Sequence, residues 1–284
     1  MIAFTIRNLK LFFRDKVAVF FSLLSVFIII GLYALFLGDT MATSMKDIPD
    51  AKVLITSWIT AGIIAVTSIS TTLGSFSIMV NDKQAKIYKD FLISPISRSK
   101  LVLGYLLSSF VIGVIMTIFS FIISELYIYS CGGEILSLES TLNVLITILI
   151  SVLSSSAMVF FAVSFIKSHN AFSTLSTVIG TLIGFITGVY VPIGTLPEPI
   201  QLIVKSFPTS HSAALLRQIL MEKPLEASFA NIPSSYLETF KLDMGIIYKF
   251  QDATVSTLTS ILILLGTAAL FYILGILLTS KKSK

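Results

Sequence analysis

Six long apolar stretches, at 17–38, 53–80, 101–129, 141–166, 171–191 and 253–279, hold between them a single acidic or basic side chain, Glu125. Each is close to or above the roughly 20 residues that cross a hydrocarbon core, and inside lipid a helix satisfies every backbone polar group of an open chain. The chain is therefore expected to be an all-α membrane protein with six transmembrane helices. A water-soluble packed domain is excluded, since only 12% of residues are charged against roughly 25% in soluble proteins. Transport coupled to protons normally needs titratable groups at membrane depth that bind and release the proton. With Glu125 alone, and close to a segment end, an energy source outside the bilayer is expected.

The net charge of +5 points to a membrane surface rather than to nucleic acid because of where the basic residues fall. Arg7, Lys10, Arg14 and Lys16 precede the first stretch, and Lys83, Lys86, Lys89, Arg98 and Lys100 separate the second from the third. Lys167 follows the fourth, and Lys281, Lys282 and Lys284 follow the sixth. With six alternating spans these thirteen share one side, whereas the other seven are spread over longer loops. The positive-inside rule makes that side cytoplasmic, with both termini inside, in a multi-pass protein of the cell membrane. The run from Val17 is longer than a signal core of roughly 7–15 residues, so the first span is expected to stay. Cys131 is the one cysteine, and no intramolecular disulfide can form.

The chain reads as a single membrane domain, 1–284, with three segments outside the spans. Residues 1–16 form an amphipathic interfacial helix, with Arg7, Lys10 and Arg14 on one face and Ile2, Ile6, Leu9, Phe12 and Phe13 opposite. The cytoplasmic segment 81–100 mixes Lys86, Lys89 and Arg98 with Tyr88, Phe91 and Leu92, and Pro95 stops a helix there. Apolar side chains framed by charge mark a contact surface. In the outer region 192–250, Pro192, Pro197 and Pro208 punctuate two short apolar runs, 199–207 and 210–221. Both are too brief to span and are expected as re-entrant or interfacial helices. Residues 234–250 read as a further interfacial helix, with Tyr236, Tyr248 and Phe250 at headgroup level.

Two patterns lie inside the spans. Thr56, Ser57, Thr60, Thr67, Thr71, Gly74 and Ser75 share one face of the second. Such hydroxyls either bond back to their own helix in a packing face or line a polar pathway. In the fifth, Gly180, Gly184 and Gly188 recur every fourth residue, a stripe that lets another helix approach closely.

Enzyme chemistry is not written in the chain. There is no Gly-Lys pair for a Walker A loop, no HExxH and no GxSxG. His169 and His211 have no Cys, His or acidic companions in the sequence that would suggest a metal, so surface or packing roles are expected. Glu125 falls near the end of the third span and is expected to stay solvated at the outer interface.

The order of these elements, the turn Phe91-Leu92-Ile93-Ser94-Pro95-Ile96-Ser97-Arg98-Ser99-Lys100, and the run Gly188-Val-Tyr-Val-Pro192-Ile-Gly-Thr-Leu-Pro197 followed by Pro208 and Arg217 resemble the ABC-2 type permease family over essentially the whole chain. The resemblance implies a six-helix half-transporter with both termini inside. It pairs with a second copy or a related permease above two separate ABC ATPase subunits. Those subunits bind ATP and Mg, and no cofactor is implied in this chain. The segment 83–98 becomes a coupling helix, so Lys86, Tyr88, Lys89, Phe91, Leu92, Pro95 and Arg98, with Arg7, Lys10 and Arg14, would meet the ATPase. Spans one, two and five would bound the pathway and dimer contacts, which implicates Thr60, Thr67, Thr71 and Gly74 in the first and Gly180, Gly184 and Gly188 in the second. Pro192, Pro197 and Pro208 would belong to an outer gate. Such proteins export drugs, antimicrobial peptides, lipid-linked glycans and other amphiphiles. A pathway without charge favours a drug, toxin, peptide or other amphiphile. A polysaccharide exporter, or a non-transporting immunity or sensor protein, is the alternative.

Overall fold

Helices account for most residues in the structure, a computed structural model that describes residues 1–45, 48–87, 98–250 and 253–281. Helix α1 (Ile2–Arg14) stops at Asp15, whose carboxylate accepts the Ala18 N–H and so starts α2 (Lys16–Leu32). A π-helical turn (Tyr33–Leu37) leads directly into α3 (Gly38–Ser44). Then come α4 (Ala51–Gln84), α5 (Arg98–Ser130), α6 (Leu138–Ser164) and α7 (His169–Ile186). A 3-10 turn (Ile193–Thr195) precedes four short helices, α8 (Glu198–Ser206), α9 (Pro208–Leu220), α10 (Glu222–Phe229) and α11 (Ser234–Asp243). A two-residue hairpin, β1 (Lys249–Phe250) with β2 (Ala253–Thr254), leads into α12 (Thr257–Lys281).

Five segments among the described residues are long and apolar enough to cross a membrane: Lys16–Phe36, Ala51–Gln84, Lys100–Ser130, Leu138–Ser164 and Thr257–Leu278. The chain is thus a helical membrane protein. Helix α7, expected as a further span, has 18 residues, about 27 Å, and opens on the polar pair His169 and Asn170.

The bundle is built around α4. This helix runs for 34 residues, about 51 Å, and packs against α2, α5, α6, α7 and α9. Of its apolar window 89% is buried, against 17% in α12 and 24% in α2, so α4 is the axle and those two face outward. Trp58, Ile63, Ile64 and Phe76 carry its core contacts. Hydroxyl pairs stitch it to its neighbours: Thr67 with Ser120 at 3.2 Å, Ser75 with Ser109 at 2.7 Å and Ser68 with Ser155 at 3.3 Å. Between apolar helices in lipid such bonds and close packing replace the hydrophobic drive.

One sequence expectation needs completing and one needs correcting. Helix α1 leaves Ile2, Ile6 and Phe13 exposed and buries a third face, with Phe4, Thr5, Asn8 and Phe12. Polar Asn8 and Thr5 lie on this face because they find partners, so hydrophobicity alone misplaces it. The helix has three faces, one basic, one apolar and bare, and one docked on α5. Likewise, residues 234–250 are not one helix. Gly245, at φ +63°, ends α11: Gly245 N–H donates to Leu242 O and Ile246 N–H to Lys241 O. Tyr236 is exposed, but Tyr248 is only 2% exposed and donates to the Ser210 carbonyl at 3.1 Å.

Candidate functional site

At the end of the bundle where α4 stops and α5 starts, α1 is clamped to both. Arg7 grips Asp82 with two parallel bonds of 2.6 and 2.8 Å, the fork geometry that makes such pairs strong. Asp82 is 3% exposed and accepts a third bond from the Tyr105 hydroxyl at 2.7 Å. Arg7 also donates to Asn8 Oδ1, and buried Asn8 donates to Ser108 at 3.2 Å. The Phe4 ring meets Tyr105 edge-on at 4.9 Å and lies over Gly104, where a Cβ would come within 2.5 Å of it. Asp82 holds the Arg7 guanidinium above its ordinary pKa. Arg7 is therefore engaged within the chain, whereas Lys10 and Arg14 are exposed on the free face.

The segment expected to dock a partner leaves this clamp directly. Lys86 is exposed and holds the left-handed C′ position of α4 at φ +62°, its N–H donating to Lys83 O. A non-glycine residue there costs roughly 1–2 kcal/mol. Tyr88, Lys89, Phe91, Leu92 and Pro95 lie outside the described residues, and Arg98 is the first residue of α5.

The hydroxyls expected along a pathway sit inside the subunit. Thr60, Thr67 and Thr71 are fully buried and bond back to Thr56 O, Ile63 O and Thr67 O at 2.7–2.9 Å. Gly74 differs. It is half-buried, a Cβ there would meet nothing within 4 Å, and Ser70 and Ser77 are half-buried on the same side.

The three glycines of α7 do three different things. At Gly180 a Cβ would meet nothing within 4 Å. At Gly184 it would stand 2.2 Å from the ring of Tyr190, which folds back onto the helix. Gly188, at φ +68°, closes the helix: its N–H donates to Phe185 O and the Val189 N–H to Gly184 O. The prolines begin structure. Pro192 precedes the 3-10 turn, Pro197 caps α8, and Pro208 is the first residue of α9.

The far end of the bundle is organised by a residue whose role no local pattern announces. Arg217 of α9 is 0% exposed. It donates to Thr187 O at 2.8 Å and Gly188 O at 3.3 Å, and to Gly245 O at 3.3 Å. These carbonyls close α7 and α11, so one guanidinium caps two negative helix ends. It also stands 4.8 Å over the Trp58 ring, while the Trp58 indole donates to Met244 O at 2.7 Å. Gly62 makes room, since a Cβ there would lie 2.3 Å from Val189. Burial lowers the Arg217 pKa to about 10, which leaves it charged at neutral pH. His211 is buried between Lys205 O at 2.8 Å and Ser260 at 3.1 Å. A carbonyl only accepts, so Nε2 carries the proton and Nδ1 accepts from Ser260; burial pulls its pKa below the usual value.

Glu125 is not fully solvated. Its Oε1 accepts the Leu136 N–H at 2.8 Å, and its Oε2 is buried without a partner.

A family model described as "ABC-2 family transporter protein" matches residues 39–277. No curated protein matches the chain.

Proposed function

Because the chain belongs to the ABC-2 family of transporter proteins, we propose that it is the membrane subunit of an ATP-driven exporter, powered by two separate ATPase subunits that bind ATP and Mg. The observation that carries this reading is the Arg7–Asp82–Tyr105 clamp. It ties α1 to both helices that flank 83–98, so a push on that segment would be delivered to the axle α4 as one rigid unit. Lys10 and Arg14 on the free face, together with Lys86, Tyr88, Lys89, Phe91, Leu92, Pro95 and Arg98, form the proposed ATPase contact.

Six spans are proposed, with α7 as the fifth. Its His169 N–H donates to Gln84 at the end of α4, and Thr187 reaches Arg217 at the other end. Helix α12 starts beside Gln218 and His211 and returns past Phe160, near the end of α6. Both chain ends then lie on the basic, cytoplasmic side of the cell membrane. The hairpin of α8 and α9, with α9 lodged among α4, α6 and α12, is the proposed re-entrant outer gate. The half-open stripe of Ser70, Gly74 and Ser77, facing a second permease copy, is favoured as pathway wall over sealed Thr60, Thr67 and Thr71.

An apolar groove of about 620 Å³ between α5, α6 and α12, with Leu106, Phe110, Ala157, Leu265 and Tyr272 among its walls, supports an amphiphilic cargo such as a drug, toxin or peptide. The test is efflux of an amphiphilic dye from cells that carry the chain with its ATPase. Asp82→Ala should leave the protein inserted and abolish efflux; unchanged efflux would remove the clamp from the mechanism.

A further inference from the structure

At the end of the bundle remote from α1, where α4 begins and α5 ends, a cavity of about 260 Å³ opens between these helices, the 131–137 loop and α10. Its walls carry four carboxylates, Asp50, Glu125, Glu134 and Glu222, and one ammonium, Lys223. Lys223 is taken by Glu134 in an exposed pair at 2.9 Å. The remaining carboxylates face the cavity in excess.

Two buried polar atoms single this cavity out. Ser57 is 0% exposed, lines it, and its Oγ has no hydrogen-bond partner. Glu125 also lines it, and Oε2 is likewise buried and unpartnered. Leaving such atoms unpaired is costly, and buried polar groups are normally satisfied. A donor group that enters the cavity would find both residues on its wall, where a carboxylate oxygen and a hydroxyl oxygen can each accept an N–H. A metal ion does not fit, because no three His, Cys, Asp or Glu side chains among the described residues gather closely enough to ligate one. A neutral donor would leave the carboxylate charge uncompensated. Apart from Ser140, the other side chains of the wall are apolar, Val53, Ile128, Ile219 and Leu220 among them, and suit methylene groups rather than a hydrated ion.

We propose that this cavity binds a small organic cation, a primary ammonium on a short alkyl stem, with Glu125 and Ser57 holding the ammonium and Asp50 and Glu222 favouring a second positive charge at the mouth. The site requires no transport step, so it stands or falls separately from the exporter reading.

The experiment is calorimetric titration of the purified full chain in detergent with 1,5-diaminopentane, with 1,5-pentanediol as the uncharged match of the same length. Saturable binding of the diamine and none of the diol is expected. Glu125→Gln keeps the side-chain shape and the Leu136 bond but should weaken binding by about thirtyfold or more. Ser57→Ala, a milder change, should weaken it by about fivefold. Glu198→Gln, on exposed α8 and away from the cavity, should leave it within about twofold. Thermal unfolding of each variant without ligand establishes that it is folded before titration. No saturable diamine binding would overturn the proposal. So would equal binding of the diol, unchanged affinity in both folded cavity variants, or calcium binding lost in Glu125→Gln with no diamine binding.

Discussion

Arg217 carries a full charge in the bundle with no carboxylate paired to it among the described residues; its partners are three carbonyls and the Trp58 ring. Replacing it with methionine keeps much of the stem but leaves the ends of α7 and α11 uncapped. Arg217→Met should destabilise the protein by about 3 kcal/mol, from hydrogen bonds to a charged group worth roughly 1.5–3 kcal/mol each less what water recovers. Thermal unfolding in detergent measures this, with Lys223→Met, at an exposed pair, expected to cause no detectable shift. His211 supplies a pH dependence. Its folded pKa lies below the ordinary 6.5, so between the two values the unfolded chain binds more protons and stability rises with pH. Its contribution should be complete above about pH 6.5 and decline as the pH falls below that value. Melting curves from pH 7.5 to 5 should show this slope, and His211→Gln should flatten it.

Among the helices, α1 shows why local pattern was only half informative. The basic face of Arg7, Lys10 and Arg14 is legible as a sequence feature, but the docked face depends on Asp82, 75 residues away from Arg7, and no spacing rule connects them. A double-mutant cycle on Arg7→Ala and Asp82→Ala should give a coupling of about 2 kcal/mol, and loss of the clamp should open α1 to protease. Lys86 adds a second test. Lys86→Gly relieves a left-handed backbone and should stabilise the protein by about 1 kcal/mol, read by thermal unfolding in detergent. The glycine stripe of α7 was visible as a repeat, yet its members separate only in three dimensions. Gly180→Ala, in open space, should be neutral or stabilise by up to about 1 kcal/mol. Gly188→Ala, at positive φ, should destabilise by a similar amount.

For the whole molecule, apolar length and proline placement predicted the helical membrane class, the long α4 and the short helices α8 and α9, because lipid leaves the backbone few alternatives. The hairpin of β1 and β2, the burial of Tyr248 and the Arg217 hub were not legible, since each depends on partners brought together from distant segments. The proposed orientation has a direct measurement. Cys131, partly exposed beside the cavity end, should react with a membrane-impermeant thiol reagent in intact cells. In a Cys131→Ala background, Ser77→Cys should react faster than Thr67→Cys, which is sealed in the core. Labelling of Cys131 only after lysis would invert the map.

The bond from Trp58 to Met244 spans 186 positions. At roughly 5–20 residues per second on the ribosome, α4 is made about 10–40 s before the partner for its tryptophan exists. During that interval the most deeply buried helix of the finished protein has a bare indole and an unfilled flank in the bilayer. A nascent chain that has emerged from the ribosome only to a point short of residue 244 should therefore be held by an insertion chaperone or degraded, whereas one that has emerged past the hairpin should already have closed its far end.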